Sequence, residues 1–256
     1  MPTVRGIQLD PVWENPEANR TRAAALIAGE PPRPGSLVVL PEMFTTGFSM
    51  NAAALAEPAG GPTDAWLAAT ARRFGVTLVG GWVRRGADGR PANEAVAVGP
   101  EGTPLAVYRK QRPFTLGGEA AHYAAGTEGC TFRWESLTVA LFICYDLRFP
   151  ELFRALTARS RPELFVVIAS WPGKRIAHWL KLLQARAIEN QAYVLGVNRT
   201  GSDPFHEHPG RSVVVDYSGE IVADAGTGEG AVRADLDLAT LRDYRRKLPF
   251  LDDLRS

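Results

Sequence analysis

Short apolar runs alternate with helical patterns along almost the whole chain, and that alternation constrains the fold more than any other feature. Residues 4–9, 37–40, 76–82, 94–98 and 105–108 read as strands, followed by 137–143, 164–169, 193–198, 212–216 and 231–235. Helical patterns fall between them at about 17–28, 64–74, 151–159 and 174–190. The last of these carries Ile176, Trp179, Leu180, Leu183 and Ala187 on a single 3.6-residue stripe, which needs a sheet to cover. Thr63 behind Pro62 is the expected N-cap of the second helix and Gly75 its stop. Turn signals at Asp88-Gly89, Pro100-Glu101-Gly102 and Ser218-Gly219-Glu220 separate strands, the last as a hairpin. Pro31-Pro32-Arg33-Pro34-Gly35 reads as a helix-to-strand connection rather than a domain joint. The pattern predicts one α/β domain over residues 1–256, with two helix-covered sheets or one large one.

Composition narrows the function classes. With 45 % hydrophobic and 22 % charged residues and a net charge of +1, nothing points to a nucleic acid or an acidic membrane surface as partner. No apolar run approaches the ~18 residues of a membrane span, and no secretory signal stands at the start, so a cytoplasmic protein with reduced thiols is expected. Four histidines and two cysteines make a multi-ligand metal site improbable, and neither a metal nor a cofactor is expected.

Three polar residues stand where strands end. Glu42 follows Leu37-Val38-Val39-Leu40-Pro41, Lys110 follows Leu105-Ala106-Val107-Tyr108-Arg109, and Cys144 closes the run 137–143. Strand ends are where an α/β enzyme places its chemistry. A cysteine between a strand and a helix start is held in position, with backbone N–H groups beyond it to meet an oxyanion. Taken singly, each has an ordinary explanation: a packed strand cysteine, a solvated carboxylate, a basic loop. Their combination favours catalysis.

Pro41-Glu42-Met43-Phe44, Tyr108-Arg109-Lys110 and Cys144-Tyr145-Asp146-Leu147-Arg148-Phe149-Pro150-Glu151 together resemble the nitrilase superfamily of carbon–nitrogen hydrolases. Gln8, Asn93-Glu94-Ala95, Ser170-Trp171-Pro172 and the segment from Gln184 to Tyr193 fit the same pattern. Within that superfamily the chain looks most like the bacterial omega-amidases, through Met43 to Met50, His122-Tyr123-Ala124-Ala125-Gly126 and the tail around Tyr244-Arg245 and Phe250. It departs at Pro113 and at Gly117-Gly118, where a looser lid-like loop is expected.

The resemblance implies a four-layer α-β-β-α sandwich. It also implies a thiol-dependent amidase acting on 2-oxo acid amides such as 2-oxoglutaramate and 2-oxosuccinamate through a thioester. Cys144 would be the nucleophile, Glu42 the general base, and Lys110 with the Tyr145 N–H the oxyanion donors, while Glu119 would bond Lys110 and help position substrate. Burial is expected to raise Glu42, and Lys110 with the helix start to favour thiolate. Phe44, Tyr145 and Trp171 would form an aromatic wall; Arg112, Lys174 and Arg175 are the candidates for binding a substrate carboxylate. A homodimer is implied, with the tail 238–256 at its interface.

Rival readings keep the same triad on another substrate (deaminated glutathione, an N-carbamoyl amino acid or an aliphatic amide), use His122 or His178 as base, or make the chain a non-catalytic binding protein. Cys130 reads as structural, His178 as a hydrogen-bonded helix histidine at the pocket rim or dimer surface. His206-Glu207-His208, bracketed by Pro204 and Pro209, reads as a surface loop rather than a zinc site.

Overall fold

The apolar runs assemble into two six-stranded sheets. The computed structural model describes residues 1–86 and 88–254. In chain order the elements are β1 (Thr3–Gln8), α1 (Pro16–Gly29), β2 (Leu37–Val39), α2 (Ala52–Leu55), α3 (Pro62–Phe74), β3 (Thr77–Arg85), β4 (Pro91–Val98) and β5 (Pro104–Arg109). Then come α4 (Glu119–His122), β6 (Cys130–Trp134), β7 (Leu137–Ile143), α5 (Pro150–Ser160), β8 (Leu164–Ala169), α6 (Ile176–Asn190), β9 (Tyr193–Asn198), β10 (Thr200–Ser202) and β11 (Glu207–Pro209). The last are β12 (Val213–Val215), β13 (Ile221–Asp224), β14 (Gly230–Asp235) and α7 (Leu238–Lys247). The first sheet runs β14-β1-β2-β3-β4-β5 and the second β13-β12-β9-β8-β7-β6, while β10 and β11 form a separate hairpin.

Both sheets have parallel centres: β1-β2-β3 in the first and β7-β8-β9 in the second. Strands buried on both faces carry near-continuous apolar sequence, which is why β8 (LFVVIA) shows no polar alternation and is buried throughout. On the outer face of the first sheet, Val38, Leu40, Leu78 and Val96 pack with Ala23 and Ile27 of α1 and Leu67 and Ala71 of α3. On the outer face of the second, Phe142 stacks on Phe153 of α5 at 3.7 Å, and Leu183 of α6 sits where a Cβ on Gly196 would fall. The inner faces meet each other. A Cβ on Gly81 would lie 2.4 Å from Ile168 Cδ1, and one on Gly6 would lie 2.7 Å from Val197 Cγ2. The result is the α-β-β-α order that the resemblance implied.

Several local expectations need correction. Gly61, not Thr63, is the N-cap of α3; Pro62 opens the helix, and the Glu57 carboxylate takes the Thr63 N–H at 2.7 Å and its hydroxyl at 2.7 Å. Gly75 does stop that helix, in the left-handed conformation at φ 61°. α6 starts at Ile176 behind a 3₁₀ turn, Gly173–Arg175. β6, β10, β11 and β13 are short strands that the apolar pattern did not single out. Apart from these corrections, the start of the tail packs within the chain: Leu238 and Leu241 are buried, and Arg245 donates to the carbonyls of Gln191 and Pro162. Among the described residues no helix is long and apolar enough to cross a membrane.

Candidate active site

The ends of strands from both sheets converge at one edge of the sandwich. Glu42 stands just beyond β2, Lys110 directly after β5, Cys144 after β7 and Ser170 after β8. Glu42, Lys110 and Glu119 are almost completely buried. Lys110 Nζ donates to Glu42 Oε1 at 2.8 Å and to Glu119 Oε2 at 2.9 Å. Asn93 Nδ2 bridges the same two carboxylates, at 2.8 Å to Glu42 and 2.9 Å to Glu119. The second oxygen of Glu42 accepts the Ser170 N–H at 2.8 Å, so strand β8 fixes the carboxylate from the opposite sheet. The four residues assigned to catalysis from sequence therefore share one cluster, as far as Glu42, Lys110, Glu119 and the thiol are concerned.

The cysteine is presented by a strained elbow. Cys144 has φ 46°, a left-handed conformation uncommon for a residue with a Cβ, and begins a 3₁₀ turn, Cys144–Arg148. Asp146 locks that elbow. Buried, it accepts from the Tyr108 hydroxyl at 2.7 Å and the Ile143 N–H at 3.1 Å through one oxygen, and from the Arg112 N–H at 2.9 Å through the other. It thereby ties the nucleophile's turn to the strand and loop that carry Lys110. Tyr145 N–H lies in the first turn, where backbone donors lack intrahelical partners. Gly118, in the left-handed region at φ 73°, lets a tight 3₁₀ turn (Thr115–Gly117) run directly into Glu119, whose carboxylate is also bonded by the Phe114 N–H. The two glycines thus close a turn that aims Glu119, rather than a slack loop.

Charge in the cluster follows from its dryness. Burial works against the Lys110 ammonium, but Glu119 and Glu42 overcome it and hold its pKa well above the usual lysine range. Burial and the adjacent Glu42 carboxylate push the Cys144 thiol well above its usual value, against the opposing pull of Lys110. Burial and Glu42 thus oppose the expected thiolate, and Glu42 is the neighbouring carboxylate that can take the thiol proton as sulfur attacks.

Burial raises Asp146 to about 6, despite the Lys110 charge and the Tyr108 hydrogen bond that lower it. An aspartate in the unfolded chain titrates near pH ~4. Sign and window follow: this group's contribution to stability is fully present below about pH 4 and is lost as pH rises through about 6. Activity should run the other way, because a protonated Asp146 has one acceptor fewer for three donors. We expect kcat/KM to fall below about pH 6 without loss of fold, and Asp146→Asn to show the low rate at every pH. Rate and melting profiles recorded over the same buffers check this; a flat wild-type profile from about pH 5 to 7 would sink it.

The thiol opens into a cavity of about 330 Å³. Its walls are mostly apolar and aromatic: Phe48, Met50, Phe114, Tyr145, Trp171 and Phe205. Phe48 also lies 5.2 Å below Lys110 Nζ. Trp171, Tyr145 and Arg175 line the cavity as expected, but three of the anticipated substrate contacts lie elsewhere. Phe44 is fully buried under α3, 5.5 Å from Trp66, because residue 44 falls on the outer face of the sheet while Glu42 faces inward. Arg112 turns away to Glu151 (3.7 Å) and the Phe149 ring, and contributes only its N–H to Asp146. Lys174 is exposed and does not line the cavity.

Arg148 takes the place expected of Arg112. It lines the cavity four residues after the nucleophile, its guanidinium 4.7 Å above Trp171 and 3.4 Å from His178 Nδ1. Burial and then the charge of Arg175 lower its pKa. His206 and His208 also line the cavity, so the segment read as a surface loop is a wall of the pocket, and His208 is 3 % exposed. His122 is exposed at the end of α4, and His178 is exposed beside Arg148, so neither is hydrogen-bonded to the thiol. Both cysteines are free, and Cys130 sits half-buried at the start of β6.

Comparison with known proteins agrees with this geometry. The model of the carbon–nitrogen hydrolase family matches residues 3–246. The chain is 37 % identical over 255 residues to a 2-oxoglutaramate amidase of Bacillus subtilis, covering 99 % of this chain and 98 % of the relative. It is 41 % identical over 247 residues to the omega-amidase YafV of Yersinia enterocolitica, covering 94 % and 92 %. The crystal structure of XC1258 from Xanthomonas campestris, a CN-hydrolase superfamily protein with an arsenic adduct in its active site, superposes with a TM-score of 0.93 at 34 % identity, covering 99 % of this chain and 97 % of that one. With the family matched over nearly the full length and the buried Glu-Lys-Cys cluster in place, the chain belongs to the carbon–nitrogen hydrolases and is an amide-hydrolysing enzyme.

Proposed function

We propose that the enzyme hydrolyses the terminal amide of a small 2-oxo acid amide, 2-oxoglutaramate or 2-oxosuccinamate, to the dicarboxylate and ammonia through a cysteinyl thioester. The observation that carries this reading is a pair of guanidiniums, Arg148 and Arg175, in a largely apolar and aromatic cavity next to Cys144. Neither forms a salt bridge among the described residues; each instead lies against a ring, Arg148 on Trp171 and Arg175 on Phe114. Two neighbouring cations, neither held in an ion pair, suit a substrate that brings its own carboxylate. The names of the relatives in Bacillus subtilis and Yersinia enterocolitica support the same substrate class.

In the proposed mechanism the carbonyl carbon of the amide sits over Sγ, its oxygen toward Lys110 Nζ and the Tyr145 N–H. Sulfur attacks as its proton passes to Glu42, and the negative charge gathers on the oxygen. Collapse of this intermediate breaks the C–N bond, Glu42 returning the proton to the leaving nitrogen so that ammonia departs. A water molecule then gives a proton to Glu42 and attacks the thioester. The C–S bond breaks, the thiol regains its proton, and the second carboxylate is released. Lys110 stays protonated throughout, held so by Glu119 and Glu42.

The test is ammonia release from 2-oxoglutaramate, 2-oxosuccinamate, glutamine, deaminated glutathione and an N-carbamoyl amino acid. Turnover should concentrate on the 2-oxo acid amides. Arg148→Met and Arg175→Met should each raise KM for them about 10–100-fold with kcat within a few-fold, the signature of lost ground-state binding. An unchanged KM in Arg175→Met removes that residue from the carboxylate site. Turnover of deaminated glutathione or the carbamoyl compound alone replaces the substrate while leaving the triad.

A further inference from the structure

The β10–β11 hairpin closes one side of the cavity, and its polar groups take no part in the chemistry above. Asp203, in the turn between the two strands, organises it. One carboxylate oxygen accepts the Phe205 and His206 N–H groups at 2.8 and 2.7 Å, and the other accepts from His208 Nε2 at 2.8 Å. Arg199, fully buried, stands behind it with Nη1 3.9 Å away and is itself tied to Asp10 at 3.1 Å and to the Ser202 carbonyl at 2.9 Å. Burial works to raise Asp203, but the bonds from His208, Phe205 and His206 and the charge of His208 prevail and draw the carboxyl down to about 2. An ionised carboxylate is acceptor-only, so the proton between the pair belongs to His208 Nε2. The other ring nitrogen, Nδ1, is buried without a hydrogen-bond partner among the described residues.

Asp203 is the one carboxylate among the described residues that line the cavity. Its oxygens already accept from His208 and the hairpin backbone, with Arg199 behind them, while Arg148 and Arg175 supply positive charge to the same space. The cavity therefore suits a substrate tail of oxygen acceptors and disfavours an ammonium group. We propose that His208 is a specificity-determining residue that, by sequestering Asp203, makes the enzyme accept a 2-oxo acid amide and reject the corresponding 2-amino acid amide. This rests on the amidase reading of the site given above. A 2-oxo acid tail offers carbonyl and carboxylate oxygens to the two guanidiniums. The ammonium of an amino acid amide meets two like charges and finds the nearby carboxylate already paired.

The experiment compares 2-oxoglutaramate, glutamine and butyramide, which has no charged tail, on the wild type, His208→Ala and His208→Gln. Removing the imidazole in His208→Ala frees an Asp203 oxygen. The kcat/KM ratio of 2-oxoglutaramate over glutamine should fall at least about tenfold, mainly through KM, and by more than butyramide turnover falls. His208→Gln, whose side-chain amide can donate to Asp203, should recover most of the selectivity. An unmoved ratio in His208→Ala, with 2-oxoglutaramate still turned over, overturns this inference alone. Equal loss on all three amides also overturns it, because a merely structural role behaves that way. A wild type that hydrolyses butyramide but not 2-oxoglutaramate overturns the substrate reading and this inference together.

Discussion

Cys144→Ala is expected to lower ammonia release by at least about 10⁴-fold, with Glu42→Gln close behind. Among the described residues no other nucleophile is placed to substitute. Ser170 also lines the cavity, but its hydroxyl is engaged with the Glu42 carbonyl at 3.4 Å. Alanine can occupy the left-handed elbow no worse than cysteine does, so melting should move little, within about 1 kcal/mol of stability. Glu42→Gln keeps the shape of the carboxylate but cannot carry the proton from sulfur to nitrogen. The pair of variants separates two mechanisms. A histidine base would leave Glu42→Gln substantially active, and neither His122, exposed, nor His178, lying against Arg148, is placed for that role. Ammonia release from both variants, alongside their melting curves, decides the matter.

Lys110→Met should be costly twice over. It removes an oxyanion donor, and it leaves Glu42 and Glu119 buried, close together and without their shared cation, since Lys110 Nζ now lies 2.8 Å from one and 2.9 Å from the other. Breaking a buried ion pair by deleting one partner typically costs about 3–5 kcal/mol, roughly 10 °C in Tm for a chain of this size. Adding Glu119→Gln should restore part of that stability, because one of the two like charges is then gone, while activity stays lost. Thermal melts of the single and double variants check both halves. A Lys110→Met protein melting within about 2 °C of wild type would contradict a charged cluster at this site.

What could be read in the sequence was what local chemistry marks. Glu42, Lys110 and Cys144 stand out because each is a polar residue at the end of an apolar run, and a strand end is the same place in sequence and in space. Arg148 carried no comparable local mark, since its role depends on Trp171 and Arg175 arriving from another part of the chain. Phe44 misled for the converse reason: two residues from Glu42 along the chain, it lies across the sheet from the cavity. The prolines around His206-Glu207-His208 suggested a surface loop, but Pro209 closes strand β11, and nothing local says that this hairpin forms a wall beside the nucleophile. Thr63 lost its capping role to Glu57, which competes for the same helix end. Asn93 and Asp146 lay inside recognisable motifs, yet their work is to join elements distant in sequence, Glu42 to Glu119 and Tyr108 to the cysteine turn.

The close approach of the two sheets at Gly81 and Ile168 bears on how such an enzyme can change over time. Its acid–base machinery is divided between two separately hydrogen-bonded slabs, Glu42 and Lys110 on one, Cys144 and Ser170 on the other. The apolar side chains between the slabs act as a gauge block, setting the offset at which thiol meets carboxylate. A core substitution that keeps the chain folded can still slide one slab against the other by a fraction of an ångström and detune the reaction. A side chain at Gly81 would meet Ile168 Cδ1 at 2.4 Å and the Glu42 Cα at 3.2 Å, so the spacing of the slabs and the position of the base are set at one point.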